Sequence, residues 1–483
     1  MGHHLRQFGA LLRDSYREAV DSWIILIMLA LGAVVITLCA SMGFQPLPAE
    51  EAFPKIVQSF THFLPHRGQG RDKEFADCTF LTRDIQKVEE GFRLIVEVQA
   101  KPSAPLPGEE GRPDIPPPKG PANPPGTNGD GDTFREAVAR WLQKETEQKS
   151  PSDSPPQRFL LQHRPQVSAQ EQQAVQPADM EEFLAQQFQF HAAMPAQVRF
   201  REKRTTPPND QLTYLFDVTV RGGVSVRGWP HTMTMFFGGI TLTRQTNLGI
   251  ILYVIEDQII NGLGGGIALM LSVIVTAFFI PNLLRKGSVD LLISKPIGRM
   301  TLLAYKYIGG LIFVLIITTF TVGGVWLALA LRSGYWNPAF LAVIPLLTFA
   351  FAILYAVSTL VATLTRSAFA AIIVTLLFML FLYIVGQVKT TFDTFKKSNM
   401  SHDIPAWATT TVDTLNNVLP RYKDLDKLTT KILSEGTLTT IESVTFGLHV
   451  IEYPSWWNTL GVSLLYIVVL VGLAGLWFRS RDY

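Results

Sequence analysis

Residues 262–310 read GLGGGIALMLSVIVTAFFIPNLLRKGSVDLLISKPIGRMTLLAYKYIGG, which is an apolar run, a charged turn and the start of a second apolar run. Its first half, residues 263–284, carries no charged side chain and is long enough to cross a bilayer core of roughly 30 Å. A short charged turn and the start of a second apolar run follow. Asp290 is the only acid among several basic side chains there, so the positive-inside rule predicts that the turn lies in the cytoplasm. The basic side chains are Arg285, Lys286, Lys295, Arg299 and Lys306.

An apolar island lies inside this charged turn. It consists of Val289, Leu291, Leu292 and Ile293. Pro296 closes the island, because proline disfavours a helical conformation in the residue before it. The pattern predicts a short amphipathic helix that lies along the membrane face.

The same stretch resembles a known family of transporters. TAFFIPNLLRKGSVDLLISKPIGR at 276–299, followed by LLAYKYIGG at 302–310, is similar to the permease subunits of ABC exporters of the second exporter type. In that family, a cytoplasmic turn between spans two and three docks on a separate ATPase. VLPRYKDLDKL at 418–428 and FRSRDY at 478–483 also resemble segments of these permeases.

The resemblance implies that residues 285–300 form the turn that couples the chain to the ATPase. The side chains expected in that contact are Arg285, Lys286, Val289, Asp290, Leu291, Leu292, Lys295, Pro296 and Arg299. It also implies that the ATPase binds ATP and Mg, and that the permease works as a homodimer or a heterodimer. The alternative is that the apolar island lies on the lipid surface and contacts no ATPase.

Composition agrees with a chain that is partly in a membrane and partly in water. Of the 483 residues, 47% are hydrophobic and 17% are charged, which is too apolar for a simply soluble protein and too polar for one lying wholly in the membrane. We predict six transmembrane helices in the cell inner membrane, with both termini cytoplasmic. Their positions are residues 23–42, 263–284, 307–331, 338–364, 368–388 and 459–478.

The remaining segments are polar or amphipathic. Residues 1–22 are predicted to form an amphipathic helix on the inner membrane surface, with an ordinary solvated leader as the alternative. Residues 479–483 form a cytoplasmic tail. Residues 389–455 are a second extracytoplasmic segment with possible short helices at 412–418 and 425–433.

Residues 45–258 form a large extracytoplasmic insertion between the first two spans. β-branched and aromatic residues predict strands at 93–99, 197–201, 214–221 and 232–243. Helices are predicted from a capping box at Thr133 and Glu136, and over residues 180–191. Residues 102–132 are rich in proline and glycine, and residues 149–179 are polar, so both are predicted to be flexible. The fold class is therefore a predominantly α-helical integral membrane protein with an inserted α+β extracytoplasmic domain that contains disordered linkers.

Glycines precede the second predicted span. Gly262, Gly264, Gly265 and Gly266 are expected to let a neighbouring helix approach closely, with loose turn residues as the alternative. Pro281 is expected to kink or end that span.

The sequence holds no convincing catalytic, cofactor-binding or metal site. Asn128, Asp130 and Asp132 have the spacing that opens an EF-hand, but Thr133 replaces the required glycine. His62 and His66 are separated by Pro65 and have no accompanying acid. No Walker A phosphate-binding loop occurs, so we expect another chain to bind ATP. Cys39 and Cys78 are not expected to pair, because Cys39 lies within an apolar run and Cys78 lies well outside it.

Three classes of function compete on this sequence. They are a transport subunit, a membrane-anchored binding or assembly protein that acts through its extracytoplasmic domain, and an integral-membrane enzyme. The predicted spans contain no ionisable residue, which argues against an enzyme or an ion-coupled carrier. We therefore predict a non-catalytic permease subunit of an ATP-driven exporter, which contacts membrane lipid and no nucleic acid. The sequence does not identify the substrate.

Overall fold

The computed structural model of the chain describes residues 24–60, 63–64, 76–100, 177–206, 211–283, 298–397, 405–448, 451 and 453–480. Several predictions concern residues outside these ranges. They are the interface helix at 1–22, the flexible stretch at 102–132, the capping box at Thr133, most of the stretch at 149–179 and the tail beyond residue 480.

In the part of the first half that the structure describes, one apolar helix precedes two antiparallel sheets. Helix α1 is Ile24–Ala40, and the sheet region, residues 43–247, adds α2 at Ala49–Gln58 and α3 at Pro177–Ala192. Its strands are β1 Gly43–Pro46, β2 Phe63–Leu64, β3 Ala76–Val88, β4 Gly91–Ala100, β5 Ala196–Thr206, β6 Gln211–Arg221, β7 Pro230–Met235 and β8 Ile240–Asn247. They form a five-stranded sheet in the order β2-β3-β4-β6-β5 and a three-stranded sheet in the order β1-β7-β8.

The five-stranded sheet buries one face because its strands alternate in polarity. In β4, Phe92, Leu94, Val96 and Val98 are buried, whereas Arg93 is exposed. These residues share a core with α2 and α3. Aromatic rings fill that core edge to face: the ring centroids of Phe53 and Trp229 lie 5.3 Å apart, and those of Phe60 and Phe188 lie 4.9 Å apart.

The second half of the chain is a bundle of helices. Three helices follow one another closely in the run Leu248–Leu283: α4 at Leu248–Ile260, α5 at Leu263–Thr276 and α6 at Phe279–Leu283. Next come α7 at Arg299–Ser333 and a 3-10 turn at Pro338–Ala342. The remaining helices are α8 Val343–Thr365, α9 Ala368–Lys397, α10 Ala406–Val418, α11 Tyr422–Thr437, α12 Thr440–Thr445 and α13 Trp456–Ser480.

Five helical runs within the described residues are long and apolar enough to cross a membrane. They are Leu248–Leu283, Arg299–Ser333, Pro338–Thr365, Ala368–Asp393 and Trp456–Ser480. The predicted first span corresponds to α1, which is a shorter apolar helix than these five. The sheet region and at least five apolar helices therefore bear out the mixed character expected from the composition.

Helix α1 packs closely along α7 through small residues. A Cβ added to Gly32 would lie 2.5 Å from the Thr321 hydroxyl, and one added to Gly324 would overlap the side chain of Ile36. Glycines at such contacts let two apolar helices approach closely. Beyond the helix ends, Arg332 Nε donates to the Met42 carbonyl at 2.7 Å.

The end of α11 is joined to distant parts of the chain. The last carbonyls of a helix have no partner within the helix. Here the Glu435 carbonyl accepts from Arg227 at 3.0 Å, and the Gly436 carbonyl accepts from Tyr335 at 2.6 Å. Asn247, at the end of β8, donates to Glu442 of α12 at 2.6 Å. These bonds fasten the sheet region, α11 and the end of α7 to one another.

Several element boundaries differ from those expected. The stretch at 232–243 is a hairpin of two strands rather than one strand, because Gly238 and Gly239 supply its turn. The run that contains the second span begins at Leu248, inside the range assigned to the insertion. Strand β3 was not predicted. Helix α9 extends to Lys397, past the expected boundary at residue 388.

Candidate functional site

The coupling turn lies mostly outside the described residues. Arg299 is the first residue of α7. The other eight residues assigned to the turn are not among the described ones: Arg285, Lys286, Val289, Asp290, Leu291, Leu292, Lys295 and Pro296. The structure therefore describes the two helix ends from which the turn departs and to which it returns.

These two helix ends lie side by side. Leu283 at the end of α6 and Leu302 in the first turn of α7 form a small buried cluster, with Tyr305 packed against it. Four residues before Leu283, the ring of Phe279 meets that of Phe313 edge to face with centroids 5.7 Å apart. The described helix ends on either side of residues 284–297 therefore lie next to each other.

Pro281 has the effect expected of it. A proline in a helix cannot donate to the carbonyl four residues earlier, and its ring crowds that carbonyl. For Pro281 that carbonyl belongs to Ala277, and the helical run is interrupted at Ala277 and Phe278, between α5 and α6. The short α6 is thus set off from α5, directly before the turn.

Five segments of the bundle converge beside these helix ends. A common apolar cluster takes its buried residues from five helices, α6, α7, α8, α9 and α13, and from Ala277 between α5 and α6. Its members are Ala277, Ile280, Leu303, Ala362, Ala371, Ala474 and Phe478. At Gly475 the absence of a side chain makes room for the thioether of Met300. Arg299, Arg366 and Arg479 are all carried by helix ends at this side of the bundle, here called the basic end.

A family model described as ABC-2 family transporter protein matches residues 134–483, which is more than half of the chain. The chain belongs to the ABC-2 transporter family. This ABC-2 protein is thus the membrane component of an ABC transporter, a multi-pass membrane protein whose family implies partnership with an ABC ATPase subunit. No curated protein and no solved structure matches the chain.

The LLAYKYIGG segment of this ABC-2 protein has a packing role that its sequence did not reveal. Tyr307 stacks on Tyr355 with ring centroids 5.1 Å apart and donates a hydrogen bond to the Ala352 carbonyl at 2.8 Å. A Cβ on Gly310 would lie 2.5 Å from the Tyr355 ring. Tyr307 and Gly310 are three residues apart and share one helix face, and this spacing is the signal that could have indicated the contact.

The glycines before the second predicted span are crowded by their own chain. A Cβ on Gly264 would lie 2.7 Å from the Ile259 carbonyl oxygen, and one on Gly265 would overlap the Ile260 carbonyl. A Cβ on Gly262 would meet Gln258, whereas one on Gly266 would point into open space. The close approach is therefore between α5 and the last turn of α4, which directly precedes it in sequence.

The part of this ABC-2 protein that the structure describes contains no group of three or more His, Cys, Asp or Glu residues placed to hold a metal ion. The EF-hand-like residues Asn128, Asp130 and Asp132, and the histidines His62 and His66, lie outside the described ranges. Cys39 and Cys78 are both buried and form no disulfide with each other.

Proposed function

We propose that this chain is a permease subunit that couples ATP hydrolysis by a separate ATPase to export or extrusion of a substrate. The observation that carries the proposal is the geometry of the basic end. The helix ends on either side of residues 284–297 are held together by contact between Leu283 and Leu302. The apolar cluster that joins α6, α7, α8, α9 and α13 lies beside this contact. A displacement of the turn therefore reaches α7 directly, and through Tyr307 and Tyr355 it reaches α8.

The proposed contact has apolar side chains at its centre and charged side chains at its rim, as protein interfaces commonly do. Val289, Leu291 and Leu292 are the apolar anchors that enter a groove on the ATPase, and Asp290 and Arg299 lie at its rim. Central apolar anchors carry most of the binding energy of an interface, whereas rim charges set orientation and association rate. In the proposed arrangement the ATPase supplies ATP and Mg, and two permease subunits form the pathway.

The membrane orientation belongs to the same proposal. The basic end lies in the cytoplasm, in line with the positive-inside rule, and the sheet region lies on the opposite side of the inner membrane. With α1 as the first of six spans, both termini are cytoplasmic. These assignments are supported by the arginines at the basic end and by the packing of α1 along α7.

The coupling contact is tested by replacing Leu291 and Leu292 together with Ser. We expect the ATPase to be lost from the permease in a pull-down from detergent extract, because two apolar anchors are removed. Asp290→Lys is expected to weaken the complex less, and to do so in a salt-dependent way, since it changes a rim charge. The matched control is Leu364→Ser with Phe369→Ser, because both side chains are exposed at the basic end, outside the turn.

The alternative role of the island predicts a different result. An island that merely lies on the lipid surface leaves the complex intact after the double Ser substitution, and that outcome contradicts the coupling proposal. Loss of the ATPase in the Leu364 and Phe369 control as well would show that any apolar-to-polar change at this end disrupts the complex.

A membrane-anchored binding or assembly protein is the second candidate. Its support is the sheet region, which has a hydrophobic core of its own. An adjacent reading frame that encodes an ATPase would favour the transport subunit. ATPase activity that requires both chains to be expressed together would separate the two candidates biochemically.

A further inference from the structure

The turn of the β7–β8 hairpin exposes two adjacent aromatic side chains. Phe236 is 55% exposed and Phe237 is 73% exposed. Their φ angles are +52° and +55°, a left-handed conformation that bulky residues rarely adopt and that Asn or Gly usually supplies in hairpin turns. The fold therefore holds two large apolar side chains outward at a position where small polar residues would fit the backbone better.

The hairpin tip lies at the level where apolar helices end. The Phe237 amide donates to the Ser41 carbonyl at 2.8 Å, and the Ser41 amide in turn bonds to Thr37 in the last turn of α1. The next residue, Met42, accepts the hydrogen bond from Arg332 at the end of α7. Near these helix ends Leu38 and Leu331 are exposed, as expected of side chains that face lipid.

The strands behind the tip continue the same apolar surface. Met233 pairs with Leu242 and Met235 with Ile240, so these four side chains share one face of the sheet. The face is partly buried at the two methionines and exposed on the edge strand β8, at Ile240 and Leu242. Exposed edge strands of soluble domains usually carry charge. Residues 232–243 carry none, and the charged residue of β8, Arg244, comes after Leu242 in the direction away from the tip.

We propose that the hairpin tip, formed by Phe236 and Phe237 with Ile240 and Leu242 behind it, inserts into the bilayer leaflet next to the ends of α1 and α7. Lipid acyl chains fit this surface because it is apolar, lacks charge and adjoins the lipid-facing ends of two helices. A protein partner would be expected to meet a polar rim around the aromatic centre. With the hairpin tip in the bilayer, the sheet region is attached to the membrane at a second point besides the helices.

The proposal is tested with an environment-sensitive fluorophore attached to a cysteine at the tip. The full chain carrying Phe237→Cys is labelled and reconstituted into phosphatidylcholine vesicles that contain lipids with a nitroxide on the acyl chain. The matched control is Leu81→Cys, an exposed apolar position on β3 that pairs with Glu97, beside the Arg83–Glu97 ion pair. The unsubstituted chain is the labelling blank, because Cys39 and Cys78 are buried.

We expect the nitroxide lipids to quench the probe at residue 237 several-fold more strongly than the probe at residue 81. A second measurement places the probe at Ile240→Cys and combines it with Phe236→Asn and Phe237→Gly, which suit the turn but remove the aromatic rings. Quenching at residue 240 should then fall several-fold. Equal quenching at residues 237 and 81 overturns the proposal. Cross-linking of residue 237 to a second copy without lipid quenching also overturns it, since the tip would then be a contact between chains.

Discussion

Gly310 shows how one missing side chain fixes the distance between two membrane helices. It lies in α7 opposite Tyr355 of α8, whose ring stacks on both Tyr307 and Phe351. The Tyr355 ring is fully buried and would be struck by a Cβ at residue 310. The ring cannot move aside without disturbing two other aromatic contacts, so a substitution must move the helices instead.

Gly310→Leu should therefore separate α7 from α8 and destabilise the protein by about 1–3 kcal/mol, the usual cost of overpacking a filled core. The measurement is the thermal unfolding midpoint in detergent. Gly323→Leu is the matched control on the same helix, because nothing lies within 4 Å of a Cβ at residue 323. An equal loss at both positions would mean that glycine flexibility, rather than contact with Tyr355, is what the protein requires.

His191 gives the sheet region a dependence on pH. Its ring is buried against Phe60, and burial lowers the pKa of His191 to about 4, from an ordinary value near 6.5. Between these values the unfolded chain binds a proton that the folded chain does not. The contribution of neutral His191 to the free energy of unfolding is therefore fully present above about pH 6.5. It falls as the pH drops towards 4, by at most about 1.4 kcal/mol per pH unit.

His191→Phe should reduce this loss of stability, because the phenyl ring that replaces the imidazole fills a similar space and does not titrate. The readout is the difference between the unfolding midpoints at pH 7 and pH 5, which should be smaller in the variant. His231 is expected to supply part of the remaining dependence, since burial lowers its pKa as well. An unchanged difference in the variant would assign the acid sensitivity to other groups.

Among the elements, those with strong periodicity were predictable and those whose residues carry mixed signals were not. Strand β4 was predictable because RLIVEVQ is rich in β-branched and other apolar residues, three of which, Leu94, Val96 and Val98, are buried on one face. Strand β3 was missed because TRDIQK places charged and polar residues on its exposed face and leaves few apolar ones to form a pattern. Helix α4 was missed because Glu256 and Asp257 interrupt its apolar run, although Glu256 is in fact buried.

The candidate site was only partly predictable for a related reason. Charge and apolar content along residues 285–300 indicate a surface turn between two spans, but they do not indicate what meets it. The contacts at its ends, Leu283 with Leu302 and Phe279 with Phe313, join side chains that lie on opposite sides of the turn in the sequence. Any leucine or phenylalanine of these helices could have made them, so the pairing depends on the three-dimensional arrangement.

The stretch at residues 102–132 is predicted to be a dispensable connection. Its proline and glycine content suits a chain that buries little surface. Because the entropy of closing a loop changes by only about 0.6 kcal/mol per twofold change in length, removing half of it should alter stability by less than about 1 kcal/mol. Thermal unfolding of the shortened protein measures this.

A core lesion in the same region provides the comparison for that deletion. Phe216→Ala, at a fully buried position of β6, should cost about 3–5 kcal/mol. A shortened protein that fails to fold or to insert would contradict the dispensable role. Normal folding with loss of transport would show that the length of the stretch matters for function.

At the scale of the whole molecule, basic helix ends and sheets lie at different ends of the apolar bundle. Arg332 of α7 bonds to Met42 beside the sheet region, whereas Arg299 begins the same helix at the basic end. Helix α7 is 35 residues long, or roughly 50 Å at 1.5 Å per residue, which exceeds the thickness of a bilayer core. We therefore expect the sheet region and the basic end to lie on opposite sides of the membrane.

We expect a cysteine at Ser150→Cys to react with a membrane-impermeant reagent in intact cells, and one at Thr365→Cys to react only after lysis. Thr365 is exposed and adjoins Arg366 at the basic end, for which the positive-inside rule predicts a cytoplasmic location. The native cysteines are buried and give little background. Labelling of residue 150 only after lysis would invert the proposed topology.

The hydrogen bonds at the end of α11 limit how far the sheet region can move relative to the helices. Arg227, Tyr335 and Asn247 join the sheet region, the end of α7 and the α11–α12 segment, so none of these parts can rotate freely about a flexible joint. We therefore expect the sheet region to tilt together with α11 when that helix moves. A tilt of α11 that is too small to see among the packed helices becomes a displacement that grows with distance towards the far edge of the five-stranded sheet.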